Sequence, residues 1–104
     1  MARFVLIAQL DDVPLNGNRA FETEGRQVLV CRTPVGVFAI ANQCTHAESP
    51  LEGGRQRGAS LFCPLHGARF DLRTGATAGQ LTQTPVKTYP VELREDGVHV
   101  DLDG

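Results

Sequence analysis

Three cysteines in 104 residues are too few for a small disulfide-stapled scaffold. They also cannot supply the four thiolates of an all-cysteine metal cluster. Neither sign of charge is in large excess: ten Lys and Arg face twelve Asp and Glu, for a net charge of −2. No basic field exists to attract nucleic acid or an anionic membrane. No apolar run approaches the length of a membrane span. The apolar start Phe4–Ala8 meets Gln9 and Asp11-Asp12 at once, too soon for an export signal. These shortages predict a reducing compartment, read here as the cytoplasm. A P-loop, a dinucleotide fingerprint and a Ser–His–Asp arrangement are also missing, so the chain is not expected to catalyse a reaction alone.

What is present favours turns and short strands: eleven glycines and six prolines in a composition that is 41% apolar. Runs rich in Val, Ile, Leu and Phe predict strands over Phe4–Ala8, Ala20–Thr23, Gln27–Arg32, Val37–Ala41, Ser60–Phe62, Ala68–Phe70, Lys87–Leu93 and Val98–Leu102. Thr33-Pro34-Val35-Gly36 and Arg94-Glu95-Asp96-Gly97 read as turns, the second with Asp-Gly supplying a positive φ. Leu10–Pro14 reads as one short turn, and no window supports a long helix. The fold class predicted is all-β, a small sandwich or barrel-like stack of antiparallel sheets in a single domain over 1–104.

The chemistry sits in two short boxes, Cys44-Thr45-His46 and Cys63-Pro64-Leu65-His66. Each follows a predicted strand, so both lie on loops held by a rigid β scaffold. Two thiolates and two imidazoles match a Rieske [2Fe-2S] centre, with cysteine on one iron and histidine on the other. Exchanging two thiolates for neutral imidazoles removes negative charge, which makes an electron easier to add. The competing reading is a structural Cys2His2 zinc site. Zinc boxes more often pair like with like, whereas each box here mixes the two types.

At these residues the chain resembles the Rieske-type ferredoxins of bacterial ring-hydroxylating oxygenase systems. The segments carrying the resemblance are Cys63–Gly75, Lys87–Val91 and Asp96–Val100, besides the two boxes. It implies a Rieske-like antiparallel β-sandwich with a small cluster-binding subdomain, about 42–70, formed by two ligand loops. It implies one [2Fe-2S] cluster, with Cys44 and Cys63 on the inner iron and His46 and His66 on the outer iron through Nδ1. It also implies a soluble, monomeric one-electron carrier. Such a carrier takes electrons from an NAD(P)H-dependent flavin reductase and passes them to a terminal aromatic-ring hydroxylating oxygenase. Partners are expected at the loop tips, Glu48, Ser49, Pro50 and Leu65. The alternatives within the same fold are a small subunit of a nitrite reductase, against which the intact ligand boxes count, and a Rieske-fold subunit of another oxidoreductase complex.

Departures from the family's respiratory branch are informative. Ser49 and Leu65 stand where that branch has a disulfide, so no bridge is expected. Ala68 and Phe70 stand where it has a serine and a tyrosine hydroxyl beside the cluster. Losing both donors predicts a potential at the low end of the Rieske range, on the order of −150 mV. Gly79-Gln80-Leu81-Thr82 replaces a proline-rich third loop, with Pro85 nearby. Elsewhere, Cys31 reads as a buried strand thiol. His99 alternates with Val98 and Val100 and is expected on the solvent face without a partner. Arg55 and Arg57 read as a solvated turn or edge strand, or as a docking contact near the cluster. Asp11, Asp12, Glu22 and Glu24 form a mild acidic cluster in sequence.

Overall fold

Eleven short strands and one 3-10 turn make up the computed structural model, which describes residues 3–45, 49–65, 67–78 and 83–104. In chain order the strands are β1 Phe4–Ala8, β2 Asn18–Thr23, β3 Arg26–Thr33, β4 Gly36–Ala41, β5 Arg55–Arg57 and β6 Ser60–Phe62. They continue as β7 Arg69–Asp71, β8 Thr77–Ala78, β9 Thr88–Tyr89, β10 Val91–Arg94 and β11 Gly97–Asp101. The 3-10 turn, Leu10–Asp12, falls within the one turn expected over Leu10–Pro14. The fold is all-β, as the sequence predicts.

Three antiparallel sheets form, in the orders β1-β11-β10, β2-β3-β4-β9 and β5-β6-β7-β8. The second sheet is the middle layer. Leu29, Cys31 and Ile40 on one of its faces share a buried cluster with Leu61 and Phe70 of the third sheet. Val28, Val30, Ala39 and Tyr89 share another with Val98 and Val100 of the first. Residues alternate across a strand, so a strand covered on both faces is apolar throughout. That accounts for the unbroken run Val28-Leu29-Val30-Cys31, all of it fully buried. Burying a side chain such as Phe70 completely contributes ~2–3 kcal/mol.

Local chemistry fixes the turns. The β2–β3 hairpin turns on Glu24 (φ 50°) and Gly25 (φ 78°), both left-handed, which suits the twist of a two-residue hairpin. Gly97 opens β11 at φ 138°, and a Cβ there would run into the Ala8 carbonyl oxygen. Proline cannot donate to a ladder, and Pro90 divides the single strand expected over Lys87–Leu93 into β9 and β10.

His99 departs from expectation. It is 6% exposed rather than solvent-facing, and its Nε2 lies 2.6 Å from Asp96 Oδ1. The period-of-two argument assumes that one face of the strand meets water. β11 is instead the central strand of its sheet, with Leu6 and Glu92 flanking His99 in register. On that same face Arg94 of β10 reaches across to Phe4 of β1, its guanidinium 5.6 Å from the ring centroid. Two members of the acidic cluster seen in sequence have partners of their own. Glu24 pairs with Arg3, while Asp12 accepts a hydrogen bond from the Gln9 backbone N–H at 3.0 Å.

Candidate metal centre

Both ligand boxes begin where a strand ends. β4 stops at Ala41, three residues before Cys44, and β6 stops at Phe62, next to Cys63. The two loops then close in the same way. Cys44 N–H donates to the Ser49 carbonyl at 2.7 Å, and Cys63 N–H donates to the Ala68 carbonyl at 2.8 Å. Each cysteine thus bonds to the residue five positions on, and the histidine of each box falls inside the closed segment. In the second loop Gly67 N–H also returns to the Cys63 carbonyl at 2.9 Å, with Gly67 at φ 78°, a conformation glycine adopts without strain.

Side-chain amides brace the first loop. Asn42 Oδ1 accepts from the backbone N–H of Leu51 at 2.9 Å and of Glu52 at 2.8 Å, while its Nδ2 donates to Gln27 Oε1 at 2.9 Å. Asn18 on β2 accepts from Gly53 N–H at 2.7 Å and donates to the Gly54 carbonyl at 3.0 Å. Gln56 on β5 donates to the Arg32 carbonyl at 3.0 Å. These contacts tie the third sheet and its loops to the middle layer. Thr45 Oγ1 donates to the Thr84 carbonyl at 2.6 Å, which brings the segment after 82 against the first loop.

Cys44 and Cys63 are 0% and 2% exposed, and both belong to one apolar cluster with Leu51, Leu61, Ala68, Phe70 and Val86. The loops converge: the Ser49 hydroxyl of the first lies 4.0 Å from Cys63 Sγ of the second. His46 and His66, the expected imidazole ligands, lie outside the described residues, as do Glu48 and the segment 79–82. Ala68 and Phe70, where the respiratory branch has hydroxyls, are 2% and 0% exposed in the same buried cluster as both cysteines.

The described donors fit an iron–sulfur cluster. A thiolate in an apolar pocket is costly unless a cation takes up its charge. Two cysteines buried on converging, hydrogen-bonded loops suit the inner iron of a mixed-ligand cluster. Cys31, in the same buried cluster but outside the two boxes, shows what burial does to a thiol. On β3, and fully buried, its pKa is pushed up to about 12 by desolvation, so it stays protonated and inert. The sequence reading of Cys31 holds. The Asn42 and Asn18 clamps and the Ser49 contact were not legible in the sequence, because each depends on which loops meet.

Comparison with known proteins agrees with this geometry. The Rieske [2Fe-2S] domain family matches residues 3–90. The ferredoxin component of a naphthalene 1,2-dioxygenase system from Pseudomonas aeruginosa is 33% identical over 94 residues, 89% of each chain. The solved ferredoxin of carbazole 1,9a-dioxygenase from Nocardioides aromaticivorans IC177 superposes with a TM-score of 0.88 at 35% identity, covering 96% of this chain and 98% of that one. A ferredoxin solved in complex with its oxygenase, again of a carbazole 1,9a-dioxygenase, gives a TM-score of 0.85 at 26% identity over 94% and 92% of the chains. With a family match over most of its length and relatives of its own size, the chain belongs to the Rieske [2Fe-2S] domain family.

Proposed function

We propose that this chain is the ferredoxin of a multicomponent oxygenase. It carries one electron at a time from an NAD(P)H-dependent flavin reductase to a terminal aromatic-ring hydroxylating oxygenase. The observation carrying the reading is the pair of buried cysteines on two loops closed by the same five-residue hydrogen bond. Cys44 and Cys63 would hold the inner iron, and His46 and His66 the outer one. When bound, the cluster supplies a site that gains and loses a single electron. The chain's own residues do the rest. Leu51, Leu61, Phe70 and Val86 exclude water around the cysteines. Asn42, Asn18 and the backbone bonds of each loop fix the ligand spacing. Leu65, beside His66, is 57% exposed, an apolar contact at the loop tip for a partner to cover.

The reading takes 1–104 as one Rieske domain with the ligands on a subdomain of about 42–70, and the carrier as a cytoplasmic monomer. Among the described residues no helix is long and apolar enough to cross a membrane. The relatives named as ferredoxin components support a carrier rather than an enzyme.

Metal analysis and EPR of the dithionite-reduced protein test the reading. Two irons and two sulfides per chain and a mixed-ligand [2Fe-2S] signal are expected, lost in His46→Ala and His66→Ala. A colourless protein holding stoichiometric zinc would overturn it. So would a loaded protein that passes no electrons from NADH through a flavin reductase to an oxygenase.

A further inference from the structure

A row of arginines crosses the outer face of the third sheet. Arg55 on β5 stands opposite Phe62 on β6, and Phe62 stands opposite Arg69 on β7. The two guanidinium carbons lie 5.3 and 5.9 Å from the Phe62 ring centroid, reaching it from the two flanking strands. In the next row Arg57 stands opposite Ser60, and Ser60 opposite Asp71. Arg69 Nε donates to Ser60 Oγ at 3.2 Å. Arg57, Ser60, Phe62 and Arg69 line a shallow groove.

This face is electrostatically unbalanced. Arg55, Arg57 and Arg69 are all exposed. Among the described residues, none of the three has a carboxylate within ion-pair distance, whereas Arg3, Arg73 and Arg94 each do. The carboxylate at the margin of the face, Asp71, is engaged by Arg73 at 3.3 Å. The chain as a whole carries a net charge of −2, so the positive field is local. It also borders the metal centre. Phe62 adjoins Cys63, and Arg69 follows Ala68, whose carbonyl closes the second ligand loop. Stacking on one ring holds two guanidinium groups in place without using their N–H donors, of which Arg69 Nε alone is seen engaged among the described residues, by Ser60; this lowers the ordering cost of binding carboxylates.

We propose that the Arg55, Arg57 and Arg69 face docks an acidic surface of the flavin reductase that feeds this carrier; the proposal rests on the electron-carrier reading above. Charge assigns the donor rather than the acceptor. One electron leaves the reductase's reduced flavin, which is oxidised by that electron, and arrives on the carrier. The carrier becomes more negative by one charge while the reductase becomes less negative by one; no bond is made or broken. A partner held through its carboxylates is therefore bound more weakly after the transfer than before it. A donor gains from that asymmetry, because it must engage the oxidised carrier and release the reduced one. An acceptor would be hindered by it.

Stopped-flow reduction of the oxidised holoprotein by its purified flavin reductase and NADH, at low and high salt, tests the proposal. The parent rate should fall as salt rises. Combined Arg55→Gln, Arg57→Gln and Arg69→Gln should lower the low-salt rate by about ten-fold and flatten the salt dependence. Delivery from the dithionite-reduced variant to the terminal oxygenase should change by less than about two-fold, with the cluster's absorption and potential unchanged. If the combined variant loads poorly, Arg57→Gln alone, which leaves both arginines stacked on Phe62 in place, should still slow the reductase by about two- to three-fold. An unchanged reductase rate would overturn the proposal, and so would a larger loss with the oxygenase. A parent holoprotein that no flavin reductase reduces would sink the carrier reading itself and this proposal with it. A parent reduced at a salt-insensitive rate would sink the proposal alone.

Discussion

The Ser49 hydroxyl faces Cys63 Sγ at 4.0 Å, a polar contact from the first ligand loop to the cysteine of the second. In sequence, Ser49 is a position where no disulfide can form and an expected contact at the loop tip. In the fold its hydroxyl approaches the sulfur of Cys63. A hydrogen bond to a ligand sulfur stabilises the more negative, reduced state and raises the potential. At this distance the bond is weak. Ser49→Ala is expected to lower the midpoint potential by about 20–40 mV, the equivalent of roughly 0.5–1 kcal/mol for one electron. Ala68→Ser and Phe70→Tyr should each move it upward. Protein-film voltammetry of the three variants decides the matter, and no movement in any of them removes hydroxyl tuning as the explanation.

Asn42 holds the exit of the first ligand loop through two backbone N–H groups. Asn42→Ala leaves both without that acceptor. The expected cost is about 1–3 kcal/mol of stability, a Tm lower by roughly 5–15 °C. Cluster loading should suffer as well, since the same bonds set where Cys44 stands. Differential scanning calorimetry beside an iron assay reads both effects. A variant with unchanged Tm and full iron would show that the loop holds its place without the amide.

Stability should decline at both ends of the pH scale. Hydrogen bonds from Arg3 hold Glu24 and Asp103 below the usual carboxylate range, Arg73 does so for Asp71, and His99 for Asp96. A depressed carboxyl stabilises the fold above its unfolded pKa, and that contribution fades as pH falls below about 4. All four groups are exposed or nearly so, which keeps the acid effect small. Cys31 acts at the alkaline end. Its folded pKa is raised from 9.0 to about 12, so the unfolded chain ionises first and stability falls across that interval. Urea titrations of the parent and Cys31→Ala between these limits should show a shallower alkaline decline in the variant. Parallel slopes would mean that Cys31 ionises equally well in the folded protein.

Pro50 is exposed and sits next to Ser49 on the first loop. Pro50→Glu should slow electron delivery to the oxygenase by about three- to ten-fold while leaving the cluster's spectrum and potential intact. Stopped-flow transfer rates measure this. Unchanged delivery would move the docking face away from that tip.

Much of the fold was legible because its strands are built from β-branched and aromatic residues between clear turns. Phe4–Ala8 and Ser60–Phe62 appear with the bounds the sequence predicts. Arg55–Arg57 left its status open between turn and strand because an arginine-rich segment has neither apolar alternation nor β-branched residues; it is β5, an edge strand of the third sheet. Thr77–Ala78 is too short to carry a pattern. His99 was misread for a different reason. Alternation shows which residues share a face, but not that the strand lies between two others in its sheet, as β11 does with Leu6 and Glu92 on either side of His99. At the candidate metal centre, residue type and spacing singled out the two boxes, and of their four expected donors the structure describes Cys44 and Cys63, both buried on converging loops. Contacts between loops, such as Ser49 with Cys63 or Asn42 with Leu51, are set by tertiary packing and leave no local signature.

Ala41 N–H donates to the Lys87 carbonyl at 2.9 Å, where the chain departs from β4 and where it comes back toward β9. The pairing of Ala39 with Tyr89 and Ile40 with Thr88 continues directly from that point. Both ligand loops and the third sheet are therefore a detour whose two ends meet at a single peptide rung. In terms of chain connectivity it is a cassette: a tight turn could join its ends without disturbing the β4–β9 ladder. Excision would still have a price, because the detour covers Leu29, Cys31 and Ile40. A body shortened in this way would need that face of β3 and β4 resurfaced with polar residues before it could stand alone in water.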